Sequence, residues 1–399
     1  MYRRVVVTGV GAVSPAGVGA PALLELLAGG RTAVHPQPDL DGLPAAAAPE
    51  LPADRRTRRL DRAARLFAAA GEEAWRDAGL EPEPSDAHRF ALIEGSSLGA
   101  LAELLVEQRD RVERHDDREP SPGALIRYMA GAGGAWFAQL HRIHGPVFHL
   151  SAGRVSAMVA IGEAYLKVAS GLADVVLVGG GDCPLQRDVA AAFSASGILS
   201  RERDAGTPCR PFDRRRTGTV LGEGAGALIL EAEEHARSRG ARIRAVAGGY
   251  ALACEAASMT APESDGAGVA EAAAAALEAA GARAVAWIKT HGTGTRLGDS
   301  AECRGLARLF GAALPTSPLT SLKGAIGHSF GASAAVETVA TVLALEQRIV
   351  LPSVGTEQVD PEFPRCRVAV GAERSDRGPA LLLAEGFGGR CAALVLQAA

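Results

Sequence analysis

Along nearly the whole chain, short runs of β-branched and other apolar residues alternate with longer alanine-rich stretches whose apolar positions recur at helical spacing. The short runs predict strands at residues 5–8, 90–93, 147–151, 174–178, 226–231, 243–249, 284–290, 366–370, 380–384 and 392–397. The longer stretches predict helices over 60–79, 155–171, 265–281, 300–309 and 331–347. Strands interleaved with long helices are the pattern of an α/β fold with helices on both sides of its sheets. Residues 109–122, rich in Arg, Asp, Glu and Pro and nearly free of apolar side chains, predict an exposed loop. The alternation breaks at 235–240 and then starts again, which divides the chain into two comparable α/β halves, 1–238 and 239–399.

Composition narrows the field of functions. With 399 residues, 47% of them hydrophobic, the chain can build the cores of two ordinary domains. The 42 Lys and Arg against 46 Asp and Glu give a net charge of -4, which excludes the basic balance that binding a phosphate backbone requires, so no nucleic acid partner is expected. No run approaches the roughly 18 to 20 apolar residues of a membrane-spanning helix. Gly9, Gly11 and Pro15 interrupt the N-terminal apolar run before it could serve as a secretory core, so a cytoplasmic protein without a membrane partner is expected. The six cysteines are far apart and form no CxxC pair, which fits isolated thiols better than disulfides or a zinc site.

Glycine-rich segments offer little chemistry of their own. The segment Thr8-Gly-Val-Gly-Ala-Val13 lacks the third glycine of a dinucleotide loop and is expected to form a tight structural turn. Gly179-Gly-Gly181 and Gly222-Glu-Gly-Ala-Gly226 lack the Lys and Ser/Thr of a phosphate loop and predict close backbone packing. The six arginines between Arg201 and Arg216 suit either a docking surface for an acidic partner or a solvated, salt-bridged loop, the second being the commoner fate of a charge run.

The chemistry concentrates toward the C-terminus. His291-Gly-Thr-Gly-Thr295 follows an apolar strand, and His328 follows a loop carrying Lys323, so two imidazoles stand at strand ends among small residues. Two imidazoles can donate hydrogen bonds to one developing oxyanion while a lysine tunes their charge. His291-Gly-Thr-Gly-Thr-Arg-Leu-Gly-Asp299 with Glu302, Lys323-Gly-Ala-Ile-Gly-His328-Ser-Phe-Gly-Ala332 and Gly386-Phe-Gly-Gly389 closely resemble the signatures of the β-ketoacyl-acyl carrier protein synthases. So do Arg3-Arg-Val-Val-Val-Thr-Gly-Val-Gly-Ala-Val13, Arg210-Pro-Phe-Asp213 and Gly222-Glu-Gly-Ala-Gly226. The resemblance covers essentially the whole chain. It implies the thiolase fold, two similar α/β halves in five αβαβα layers, dimeric, acting on acyl groups carried on the phosphopantetheine of an acyl carrier protein, with no cofactor of the chain's own.

It also implies a nucleophilic cysteine at a sharp strand-to-helix turn, and that cysteine is absent. Read forward from Gly145-Pro146 and backward from Ala160-Ile-Gly-Glu-Ala164, the position falls on Arg154 in Leu150-Ser-Ala-Gly-Arg-Val-Ser156. A guanidinium has no nucleophilic lone pair at neutral pH, so this position cannot hold an acyl thioester. A cation there also opposes the helix dipole. Arg154 is therefore expected to plug the site or to pair with a carboxylate, across a dimer interface included; the plain alternative is drift at a site released from catalysis. Ser151 and Ser156 lie beside the turn but are displaced from it.

The resemblance implies catalytic roles for His291 and His328, support from Lys323 and Glu337, and a gate at Phe387. Arg390 is a second departure, standing where the family has a small polar residue. A non-condensing subunit like the chain-length factors of type II polyketide systems, paired with a cysteine-bearing ketosynthase as a heterodimer, is the expected function. The alternative is a stand-alone enzyme that decarboxylates malonyl-carrier protein, or another acyltransferase, using His291, His328 and Lys323.

Overall fold

The structure is a computed structural model that describes residues 2–52, 54–115, 122–203, 206–363, 365–376 and 378–399. Ten strands carry the architecture. In the first half they are β1 (Val5–Ser14), β2 (Phe90–Gly95), β3 (Val147–Leu150), β4 (Val175–Asp182) and β5 (Gly224–Ala232). In the second they are β6 (Ala245–Cys254), β7 (Trp287–Lys289), β8 (Leu319–Thr320), β9 (Ala380–Gly386) and β10 (Arg390–Ala398). Their order is β8-β7-β9-β10-β6-β1-β5-β4-β2-β3. Outward from the centre, β1 is antiparallel to β5 and β5 to β4, while β4, β2 and β3 run parallel. The second half repeats this: β6 is antiparallel to β10 and β10 to β9, while β9, β7 and β8 run parallel. The halves meet where 5–7 pair with 245–247.

Five helices complete the layers: α1 (Arg62–Asp77), α2 (Ser156–Ala169), α3 (Ala267–Ala279), α4 (Arg296–Phe310) and α5 (Ser333–Gln347). The first covers the outer face of the first sheet and α3 the outer face of the second, while α2 and α5 pack on each other between the sheets. The result is the five-layer αβαβα thiolase fold. Sequence explains which helix goes where. In α1 an apolar stripe including Leu66, Phe67, Ala70 and Ala74 faces the sheet, and Asp61 caps the helix by accepting from the Ala64 N–H at 3.1 Å. In α5 every residue from Ser333 to Val342 is buried, as a helix sandwiched between two sheets requires. Its Thr338 and Thr341 hydroxyls satisfy themselves by donating to the carbonyls of Ala334 and Glu337, at 2.6 and 2.8 Å.

Several expectations change. Thr8-Gly-Val-Gly-Ala-Val13 is no turn but the middle of β1. A Cβ on Gly9 would lie 2.1 Å from the Ala74 carbonyl oxygen and one on Gly11 2.1 Å from that of Ala70, so these glycines let α1 settle onto the strand. The other two glycine segments pack closely, as expected: a Cβ on Gly226 would strike the backbone of α5, and one on Gly180 the carbonyl of Gly95. Residues 109–113 belong to the helix Leu101–Glu113, because Arg and Glu are good helix formers and need no buried face; residues 116–121 of the expected loop lie outside the described set. No strand forms at 366–370, where only Val368 bridges to Leu319, and the strand paired with β7 is the two-residue β8. The arginine run is salt-bridged in part: Arg210 meets Glu202 and Glu357, and the buried Arg216 meets Asp360 at 2.5 Å. No helix among the described residues is long and apolar enough to cross a membrane.

Candidate functional site

Parallel strands release their connections at one end of a sheet, and here four of these segments converge: 151–155 between β3 and α2, 290–295 between β7 and α4, 321–332 between β8 and α5, and the turn 387–389 between β9 and β10. Three of them, all but 321–332, border a cavity of about 860 Å³ whose wall includes Arg154, Glu255, His291, Thr293, Glu385 and Phe387.

His291 is fixed through its backbone. Its N–H and that of Gly292 donate to the Glu302 carboxylate at 2.5 and 2.8 Å, and the Gly294 N–H donates to Asp299 at 3.0 Å. Both acids come from the first turns of α4, which Thr295 caps by accepting from the Gly298 N–H at 3.2 Å. Burial pushes the Glu302 acid up to about 7 and that of Asp299 to about 6. His328 lies behind Gly327, whose φ of +66° suits glycine, and its N–H donates to the Val220 carbonyl at 2.8 Å. Its Nδ1 is 2.7 Å from Ser333 Oγ, and its ring stacks on Phe330. The two imidazole centroids are 5.3 Å apart, and neither Nε2 has a partner. Burial, and next the nearby Lys323, hold both imidazoles well below the usual histidine range, so both are neutral at neutral pH.

Beneath the histidines lies a buried charge network. Lys323 Nζ donates to Glu337 Oε1 at 2.7 Å and to the His291 carbonyl at 2.6 Å. The other oxygen, Glu337 Oε2, accepts from Lys289 Nζ at 2.5 Å, and Lys289 also donates to the Leu383 carbonyl at 2.7 Å. Burial would raise the Glu337 acid, but the two ammonium groups outweigh it and hold it below the usual carboxylate range. Burial lowers Lys289, against the pull of Glu337. Sequence reasoning missed Lys289. Its signal was a lone charge in the strand Trp287-Ile288-Lys289, since a strand buried on both faces admits a charge only with a dedicated partner.

Arg154 stands at the turn into α2. Ser156 Oγ accepts from the Ala152 N–H at 2.9 Å and donates to the Gly153 carbonyl at 2.5 Å, so that hydroxyl holds the turn together and has no base beside it. The Arg154 guanidinium carbon lies 3.8 Å from the centroid of the Phe387 ring. Burial lowers it to about 10, with Glu385 acting in the opposite direction, so it keeps its proton at neutral pH. Within the chain no carboxylate pairs with it: among the described residues the Arg154 side chain has no ion pair or hydrogen bond, and its Nε is buried without a partner. Arg390 is exposed at the rim and donates to the Phe387 carbonyl at 3.1 Å. The cavity wall includes His291 but not His328, which is wholly buried. Of the six free cysteines only Cys391 lines the cavity, and burial together with Glu385 and Glu255 holds its thiol far above the usual range, so it is no substitute nucleophile. Ser151 is exposed.

Residues 2–236 match the sequence profile described as beta-ketoacyl synthase, N-terminal domain, and residues 244–357 match the corresponding C-terminal domain. The chain belongs to the β-ketoacyl synthase family. A polyketide beta-ketoacyl synthase 1 of Streptomyces halstedii is 36% identical over 424 residues, covering 99% of this chain and 98% of the relative. Among solved structures, the AntDE:AntF complex, described as a type II PKS acyl-carrier protein with its ketosynthase bound to the hexaketide, matches at TM-score 0.92 and 28% identity over 100% of both chains. The ishigamide ketosynthase/chain length factor matches at TM-score 0.91 and 28% identity, again over 100% of both.

As a member of this family the chain has an uneven site. Two neutral imidazoles have free Nε2 atoms, the chemistry that polarises a carbonyl, but only His291 borders the cavity. The turn facing them carries a cation that makes no ion pair among the described residues, and no thiol able to accept an acyl group.

Proposed function

We propose that this chain is a non-condensing subunit of a type II polyketide or related acyl-elongating system, acting beside a cysteine-bearing ketosynthase on chains borne by the phosphopantetheine of an acyl carrier protein. The observation that carries the reading is Arg154, at the turn into α2 and laid over Phe387. It supplies no nucleophile, and neither Ser156 nor Cys391 can take its place. The similarity to the ishigamide ketosynthase/chain length factor supports a paired assembly. The test is native mass spectrometry of the chain co-expressed with a cysteine-bearing ketosynthase from its own gene neighbourhood, with the chain alone as control. A one-to-one heterodimer is expected. A stable homodimer indifferent to the ketosynthase overturns the partnership.

One observation favours a second reading: His291 and His328 keep neutral rings and free Nε2 atoms, which decarboxylation of malonyl-carrier protein would use. Against it, His328 is sealed from the cavity. That reading requires the isolated chain to turn malonyl-carrier protein into acetyl-carrier protein, and His328→Ala to abolish the turnover.

A further inference from the structure

The six cysteines are far apart in the sequence, yet the fold brings two of them together. Cys303 lies in the middle of α4, 2% exposed, and Cys366 is half-buried in a segment packed against that helix. Both belong to one apolar cluster with Leu306, Leu319 and Phe363, and the Cys303 thiol has the Cys366 thiol as its hydrogen-bond partner. Both are free thiols.

The surrounding contacts build this approach into the helix. Positions 300, 303 and 304 share one face of α4, and each meets the same segment. Ser300 Oγ donates to Glu362 at 3.3 Å, and Arg304 forms an ion pair with the same carboxylate. Phe363 is buried, and its carbonyl accepts from the Cys366 N–H at 3.0 Å, which fixes where that thiol stands. The neighbouring positions of α4 grip the candidate site: Glu302 accepts from the N–H groups of His291 and Gly292, and Asp299 from that of Gly294. One helix thus carries the thiol contact and the hold on the His291 loop.

Two thiols in contact, one reaching water and one sealed, have the arrangement of an attacking and a resolving cysteine. Burial raises the Cys303 thiol well above the usual range, so the first attack falls to Cys366. We propose that Cys303 and Cys366 are a reversible disulfide site, closed by hydrogen peroxide and reopened by thiols, and that closing it stiffens the His291 loop through α4. The Cys366 sulfur attacks one peroxide oxygen, the O–O bond breaks, and the departing hydroxide takes the Cys366 proton as water. The Cys303 sulfur then attacks the sulfenic sulfur of Cys366, the S–O bond breaks, and the hydroxide released takes the Cys303 proton. Two thiols lose two protons and two electrons, and one peroxide becomes two waters. Neither cysteine lines the cavity, so the inference does not rest on the proposed function.

Peptide mapping without reduction, on the full chain treated with a small excess of hydrogen peroxide, tests it. The peptides carrying Cys303 and Cys366 are expected to be joined, and dithiothreitol to part them. The crosslink closes a loop of roughly sixty residues, so the thermal midpoint of the oxidised chain is expected to rise by about 3–5 °C. Hydrogen exchange at residues 291–294 is expected to slow several-fold. Cys366→Ser is expected to abolish the joined peptide, the rise and the slowing. Should that variant fail to fold, Cys303→Ala takes its place, and Cys366 is then expected to proceed to the sulfinic acid. Cysteines that stay reduced while peroxide oxidises methionines, a joined peptide between other cysteines, or sulfinic acid at Cys366 in the parent chain overturns the disulfide site. A joined pair that leaves exchange at 291–294 unchanged overturns its hold on the loop.

Discussion

The two halves of the molecule each send an edge strand through a turn into a central helix, and the two turns have opposite character. In the C-terminal half, β8 leads through Lys323 and His328 into α5, and each charged group there has a dedicated partner: Lys323 and Lys289 take one oxygen each of Glu337. In the N-terminal half, β3 leads through Arg154 into α2, and among the described residues that cation has only the face of Phe387. A network whose charges compensate one another cannot lose one member cheaply, whereas an uncompensated cation contributes little to folding. The C-terminal turn is thus bound into the stability of the fold, and Arg154 is free to serve the cavity alone.

The largest effect that can break this contrast is at Glu337. Glu337→Ala strands two ammonium groups in the core, and equilibrium urea unfolding is expected to show a loss of about 3–5 kcal/mol. A loss below about 1 kcal/mol would mean that the network is not a unit. Next comes Glu94 on β2, a buried acid of the N-terminal half whose hydrogen bond comes from the Gly134 N–H at 2.8 Å and which has no ion pair among the described residues. Burial raises it from 4.5 to about 7. Between those values the folded state keeps a proton that the unfolded chain has released, so this contribution is complete below pH 4.5 and is lost as pH rises through about 7. Glu94→Gln, compared with the parent by urea midpoints at pH 4.5 and 7.5, is expected to shrink the decline by about 1–3 kcal/mol. An unchanged decline would place the titration elsewhere. The smallest effect is at Arg154 itself: Arg154→Met loses a cation–aromatic contact worth about 0.5–1 kcal/mol and gains relief from burying an unpaired charge. Its thermal midpoint is expected within a few degrees of the parent, and a drop as large as that of Glu337→Ala would erase the contrast.

Much of this was legible in the sequence because hydrophobic periodicity and the histidine and glycine motifs are local signals. The core strands of both halves, the helices that cover them and the pairing of His291 and His328 near Lys323 followed from such patterns, while Glu337, Phe387 and Arg154 joined the site through the resemblance to the β-ketoacyl synthases. What stayed hidden depends on contacts distant in sequence. Gly9 and Gly11 read as turn residues because the sequence does not show that α1 presses on them. Strand β8 is two residues long, too short to show a period, and the apolar run at 366–370 looked like the better strand. Lys289 and Glu385 went unnoticed in the sequence, because what distinguishes them, a shared Glu337 and an orphaned acid in the cavity, exists only once the chain is folded.

The central claim is that the turn at Arg154 takes no acyl group. Intact-protein mass spectrometry after incubation with an acyl-loaded carrier protein tests this most directly, with Arg154→Cys in parallel. The account predicts an unmodified parent chain and an acyl adduct on the variant at position 154. A stoichiometric acyl adduct on the parent, at Ser151, Ser156, Cys391 or a residue lining the cavity, would contradict it.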